Sequence, residues 1–400
     1  MKLTDEFQRE LNHILTYWRT HVPDKKYGGF LGKVDNDNHA DEHAPKGAVL
    51  NARILWTFSA AYNHEARPEY LAQARVAFEY LTRHFIDPNY GGVFWSVDYQ
   101  GQPLDTKKQI YALAFAIYGL AEFYRATGEE SALTTAQALF RAIEAHSFDA
   151  THGGYLEALA QDWTPLADLR LSAKDANEKK TMNTHLHILE AYANLYRVWP
   201  DASLKKQLQG LLTVFADHII DPQTQHLILF FDENWTAKST DISFGHDIEA
   251  AWLLLEAAEV LSDEHLIAQF RARAVQMAQA AAEGLDDAGG LNYEYEPARN
   301  HWNRERHWWV QAEAMVGFLN AFEISGEQFF YDAFLSVWEF TQRHIIDHKR
   351  GEWYWGVQAD NAQLMAGEDK AGFWKCPYHN GRACLEVMRR LSATLSHPSC

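Results

Sequence analysis

The chain has 400 residues, 47% of them apolar and 14% aromatic, enough to bury a large core in one or two domains. Its formal charge of −18 argues against nucleic acid or an anionic membrane surface as partners and favours a neutral or cationic small molecule. No stretch approaches the roughly 20 uninterrupted apolar residues that span a bilayer, and "MKLTDEFQRELNHIL" is too charged for a secretory signal, so a cytoplasmic protein is expected.

In chain order, the first signal is a glycine motif that recurs: "YGGFLGKV" at 27, "YGGVFWSV" at 90, "HGGYLEAL" at 152, "AGGLNYEY" at 288 and "RGEWYWGV" at 350. The leading glycines, Gly28, Gly91, Gly153, Gly289 and Gly351, are nearly evenly spaced except for one interval of double length. That interval hides a sixth copy, "DPQTQHLILFFDENW" from Asp221, with the same layout but no glycine. Four copies follow a helix-like segment that ends in a related run: "HFIDP" at 84, "HSFDA" at 146, "HIIDP" at 218 and "HIIDH" at 344.

After each copy comes an apolar helix: "LNARILWTFSAAY", "KQIYALAFAIYGLAEFY", "MNTHLHILEAYANLY", "GHDIEAAWLLLEAAEVL", "WVQAEAMVGFLNAF" and "PYHNGRACLEVMRRL". Helices apolar on most faces belong inside, whereas "YLAQARVAFEYLTRHF" has a polar face and belongs outside. Six inner helices within six outer ones predict an all-α fold, an (α/α)6 barrel of six helix-hairpin repeats forming one catalytic domain over residues 1–400. An open superhelix is the other architecture that repeats of this kind allow.

Polar residues near the starts of the inner helices break the apolar rule: Arg53, Tyr111, Asn183 with His187, His246 with Glu249, Trp309 with Glu313, and His379. In a barrel these starts converge on one mouth. Asn183, His187 and Glu190 share one helix face, while His185 is turned roughly 160° away and reads as structural. His246 lies in a first turn, and His379 follows Pro377, a residue suited to opening a helix. The positive end of a helix dipole disfavours imidazolium and keeps such rings neutral, the form a general base requires.

Three chemistries compete for these residues. Zinc would use the histidines and carboxylates, but there is no HExxH and each histidine comes from a different repeat, so no metal is expected. A glycoside hydrolase would use Glu249 and Glu313 and leave the histidines idle; a sugar-binding module would explain the aromatics alone. Proton abstraction beside a carbonyl uses the imidazoles, since two bases on opposite faces of one carbon allow inversion. No cofactor is signalled, because neither a GxGxxG between strand and helix nor a phosphate loop is present. Cys376, Cys384 and Cys400 neither pair evenly nor form CxxC, which predicts reduced thiols.

The segments "GAVLNARILW", "KTMNTHLHILEAY", "SFGHDIEAAWLL", "WWVQAEAMVGFLNA" and "FWKCPYHNGR" together resemble the N-acylglucosamine 2-epimerase superfamily, end to end and most closely its disaccharide-acting members. The resemblance implies the (α/α)6 barrel and reversible 2-epimerisation of the reducing-end glucose of a β-1,4-linked disaccharide through a cis-enediolate. It implies that His379 and His246 are the two general acid/base groups and that His187 assists ring opening. Arg53 and Asn183 match groups that bind the oxygen on which charge develops, and Tyr111 matches a pocket position. Trp374 and Trp309 match tryptophans of the sugar cleft, and Glu249 and Asp175 match hydroxyl-binding groups for the second sugar. A monosaccharide 2-epimerase or isomerase keeping the same motifs is the alternative.

Overall fold

The computed structural model describes residues 2–360 and 363–396. Among them are twelve α-helices in an alternating order. The outer helices are α1 (Leu3–Thr20), α3 (Pro68–Tyr80), α5 (Glu130–His146), α7 (Ala202–Val214), α9 (Glu264–Ala281) and α11 (Gln328–Phe340). The inner helices are α2 (Ala48–His64), α4 (Ile110–Thr127), α6 (Met182–Val198), α8 (Phe244–Leu261), α10 (Trp308–Ser325) and α12 (Tyr378–Ser396).

Helix α1 shows why the outer ring is amphipathic. Phe7, Leu11, Ile14, Leu15 and Trp18 recur at helical spacing and are buried, while the opposite face is charged. Helix α2 is buried on every side from Ala48 to Ala61, as an inner position demands. Inner helices pack closely where a side chain is missing: a Cβ on Gly119 of α4 would meet the carbonyl oxygen of Ala52 in α2 at 2.7 Å. Each inner helix packs on the next, and α12 packs on α2, so the ring closes and the open superhelix is ruled out. Cys376 and Cys384 are buried free thiols; Cys400 lies outside the described residues.

Two-residue strands enter five inner helices, and each pairs antiparallel with a strand of the following repeat: Lys46–Gly47 with Ser96–Val97, Lys108–Gln109 with Ala158–Leu159, Lys180–Thr181 with Phe230–Phe231, Ile242–Ser243 with Glu294–Glu296, and Arg306–His307 with Gly356–Val357. A bridge between Val34 and Ala371 completes the circle. These links surround one end of the barrel and hold the inner-helix starts in register.

All six repeats carry the same backbone bridge, Pro23 with Phe30, Ile86 with Val93, Phe148 with Tyr155, Ile220 with Leu227, Leu285 with Leu291 and Ile346 with Trp353, so the copy without glycines is a true sixth. There Gln225 adopts φ +64°, the left-handed conformation that Gly28, Gly91, Gly153, Gly289 and Gly351 take in the other five. Five repeats also staple their turn to the next strand with a buried ion pair: Lys46 to Asp24 at 2.6 Å, Lys108 to Asp87 at 2.7 Å, Lys180 to Asp149 at 2.8 Å, Lys370 to Asp347 at 2.6 Å, and Arg306 to Asp286. In the sixth, Ile242 stands where the cation would be.

Candidate active site

The first two turns of the inner helices bring Arg53, Tyr111, His187, Trp309 and His379 into one chamber, with Glu249 and Glu313 beneath it and Trp374 at its edge. Arg53 is buried, donates to the Tyr111 hydroxyl at 2.7 Å, and lies 4.1 Å over the ring of Phe115. Among the described residues no carboxylate hydrogen-bonds to it, so it supplies an unneutralised positive charge to the chamber. The Tyr111 ring stands edge-on to His187, centroids 5.0 Å apart, and 6.0 Å from Trp374.

His187 Nδ1 lies 2.9 Å from Glu190 Oε2. His379 Nδ1 lies 2.7 Å from Glu313 Oε1, and Glu313 Oε2 accepts from the Trp252 indole at 3.1 Å. His246 is half-buried, and its Nδ1 meets the hydroxyl of Ser243 at 2.8 Å. Rings of His246 and His379 lie against the same indole, Trp309, at 4.7 and 5.7 Å. Asn183 Oδ1 is buried without a hydrogen-bond partner, so its carboxamide is available to a ligand.

Burial is the leading cause that lowers all three histidines. Burial, with His187 nearby, depresses His246 to about 3. Burial followed by the Arg53 and Arg382 charges drives His379 well below the usual imidazole value. His187 is lowered by burial despite Glu190. His185, read as structural, is fully buried; its Nδ1 meets the Thr181 carbonyl at 2.7 Å and its Nε2 accepts from the Tyr155 amide at 2.9 Å, so the backbone uses both nitrogens.

Glu249 is buried, accepts from Arg382 at 2.8 Å and lies 3.9 Å from His379 Nδ1. Asp175 caps its own loop, accepting from the Ser172 amide at 2.8 Å. Its charge reaches Tyr293, whose ring is 6.3 Å from Trp309, so this loop borders the mouth.

Glu190, Arg382, Tyr378 and Ser243 belong to the site and were not singled out as such from the sequence. Arg382 donates to Glu190, Glu249 and Glu313, and Tyr378 donates to Glu190. Helical spacing carried a signal for two of them: Arg382 follows His379 by three residues, as Glu190 follows His187. Donor atoms of Glu249, Glu313 and His379 lie within 4.8 Å of one another, but the Arg382 guanidinium bridges both carboxylates and is itself the cation there. A hollow of about 490 Å³ opens at the opposite end of the inner helices and shares only Glu190, Arg382 and Trp252 with the chamber. Its charges are paired, Arg197 with Glu256 at 2.8 Å and Arg125 with Glu122 at 3.3 Å.

Residues 13–383 match the family model described as N-acylglucosamine 2-epimerase. A cellobiose 2-epimerase of Bacteroides fragilis is 52% identical over 96% of this chain and 98% of its own length. The crystal structure of a sugar epimerase from a ruminal bacterium superposes with a TM-score of 0.93 at 38% identity, covering 97% of this chain and 99% of that one. A cellobiose 2-epimerase from Bacillus thermoamylovorans superposes with a TM-score of 0.92 at 40% identity, again covering 97% and 99%.

Proposed function

Because the chain belongs to the N-acylglucosamine 2-epimerase family, we propose that it is a single-domain cellobiose 2-epimerase of the cytoplasm, interconverting cellobiose with glucosyl-mannose and lactose with epilactose. The observation that carries the chemistry is the pair His246 and His379 against one indole, each with Nδ1 engaged and Nε2 left for substrate. A base on each side of C2 is what inversion at that carbon requires.

The sugar ring opens with help from His187, and one of the two imidazoles takes the C2 proton. The electron pair moves onto the carbonyl oxygen to give a cis-enediolate, whose charge is met by the unneutralised Arg53 and by Asn183. Rotation about C2–C3 presents the other face, and the second imidazole, having taken up a proton from solvent at Nε2, returns it to C2 while the first releases the abstracted proton to solvent. One proton leaves and one arrives, so no electron acceptor enters the balance. Trp309 and Trp374 offer apolar faces to the pyranose rings, and Tyr111 holds Arg53 in place.

Incubation in D2O with cellobiose, lactose, glucose, mannose and N-acetylmannosamine, followed by NMR, tests this directly. Deuterium at C2 of cellobiose with appearance of glucosyl-mannose is expected. Exchange confined to monosaccharides overturns the substrate assignment, and no exchange with any sugar overturns the epimerase.

A further inference from the structure

Arg382 has no part in the steps above, yet among the described residues it is the side chain that reaches all three buried carboxylates under the chamber. One terminal nitrogen donates to Glu190 and to the Tyr378 hydroxyl; the other donates to Glu249 at 2.8 Å and Glu313 at 2.6 Å. Its guanidinium stacks 4.2 Å from the Tyr378 ring and 4.8 Å from Trp252, and only 2% of its side chain is exposed. Two of its three acids carry a histidine on the other side: Glu190 holds His187, and Glu313 holds His379.

We propose that Arg382 is a positioning residue: through Glu190 and Glu313 it fixes His187 and His379 in the same tautomer, with Nδ1 protonated and Nε2 bare toward the substrate. The catalytic consequence rests on the epimerase reading. An ionised carboxylate can only accept, so it compels its histidine to keep the proton on Nδ1. A protonated carboxyl would donate to Nδ1 and send the ring proton to Nε2, where the imidazole could no longer take a proton from C2.

Three acids around one guanidinium cannot all stay ionised once that charge is removed, because burial and mutual repulsion both favour protonation. Glu190 faces Arg382, His187, Tyr378, Tyr118 and Glu249; Glu313 faces Arg382, His379, Trp252, Glu249, Glu190 and His246. Burial pushes the Glu190 carboxyl up, but Arg382 and His187 outweigh it and hold it at about 2. Burial raises Glu313, and burial with the neighbouring Glu313 raises Glu249 well above the usual carboxylate value; Arg382 is the principal group drawing both back, although both stay raised. Arg53, the other cation near His187 and His379, cannot substitute, since it bonds to none of the three acids among the described residues.

The test uses Arg382→Lys and Arg382→Met, with circular dichroism to establish folding. Because the working form has Glu190 and Glu313 ionised and loss of the guanidinium raises their pKa values, the acid limb of kcat moves to higher pH, by about one unit or more. Turnover falls about 10-fold or more in the lysine variant and about 10²-fold in the methionine variant, while cellobiose affinity stays within about threefold. Ring ¹⁵N shifts of His187 and His379 report Nδ1–H in the parent protein and lose that pattern in the variants. If the methionine variant does not fold, the lysine variant carries the test. Parent rings protonated on Nε2, an unmoved acid limb, or a loss confined to affinity overturns the proposal. Absence of C2 exchange in the parent would overturn the epimerase instead, and the ¹⁵N shifts would still judge Arg382.

Discussion

Chemistry at the level of single residues turns on how weak a base His246 has become. Sheltering lowers it to about 3, and His379 is driven down as well. A depressed imidazole is a poorer acceptor, but the imidazolium it forms is held unfavourably and returns its proton readily, which suits a reaction run in both directions. The sign for pH follows: a base stays competent until the medium protonates it, so the acid limb of kcat/KM for the parent protein lies below the ordinary imidazole value of about 6.5. A pH–rate profile with its acid limb at or above that value contradicts the assignment of both histidines. These rings were legible in the sequence because each breaks an apolar helix start. Arg382 shares a helix face with His379, but its bond to Glu190 spans 192 residues, and no local pattern announces a partner that far away.

The repeat is the informative unit at the level of elements. The copy beginning at Asp221 escaped a glycine search because it lost both marks of the motif, the left-handed glycine at Gln225 and the staple cation at Ile242. A non-glycine residue in left-handed backbone costs roughly 1–2 kcal/mol, and glycine gives back about 0.5–1 kcal/mol through the freedom of the unfolded chain. Gln225→Gly therefore stabilises the protein by about 0.5–1 kcal/mol, measured by chemical denaturation. A loss instead would mean that the bond from Gln225 to the Pro222 carbonyl, at 3.0 Å, outweighs the strain. Inner and outer rings were readable from apolar periodicity, since burial on all sides or on one stripe is a local property. The lysine staples join a turn to a residue 21 to 31 positions on, and composition does not mark that pairing. The segments ending at "HFID" and the two "HIID" runs hold a further surprise, a π-helical turn at Leu81–Phe85, Phe215–Ile219 and Thr341–Ile345, on alternate outer helices, so that the sixfold barrel repeats more closely as three pairs.

Closure is the property of the whole molecule, and Glu352 sits at the seam. It accepts from Trp18 of α1, from Asn380 of α12 at 2.6 Å and from Lys375 at 2.8 Å, all of it fully buried. Lys375→Met leaves that carboxylate buried without its cation, at a cost of about 3–5 kcal/mol. Hydrogen exchange in the variant quickens first in α1 and α12, because Glu352 bonds to both at the seam. Exchange that rises equally in α6 would show that the barrel opens everywhere at once.

The seam also sets a timetable for biosynthesis. Trp18 leaves the ribosome 334 residues ahead of Glu352, a delay of roughly 20–70 s at 5–20 residues per second. For most of that interval the stripe of Phe7, Leu11, Ile14, Leu15 and Trp18 lacks both α11, whose Phe334 and Trp338 stack on Phe7, and α12, although each side chain of the stripe gains about 1.5–3 kcal/mol on burial. The nascent chain thus carries a sticky first helix whose proper mate is made last, which makes α1 the segment for a holding chaperone to cover and the element that neighbouring chains on one messenger are best placed to exchange.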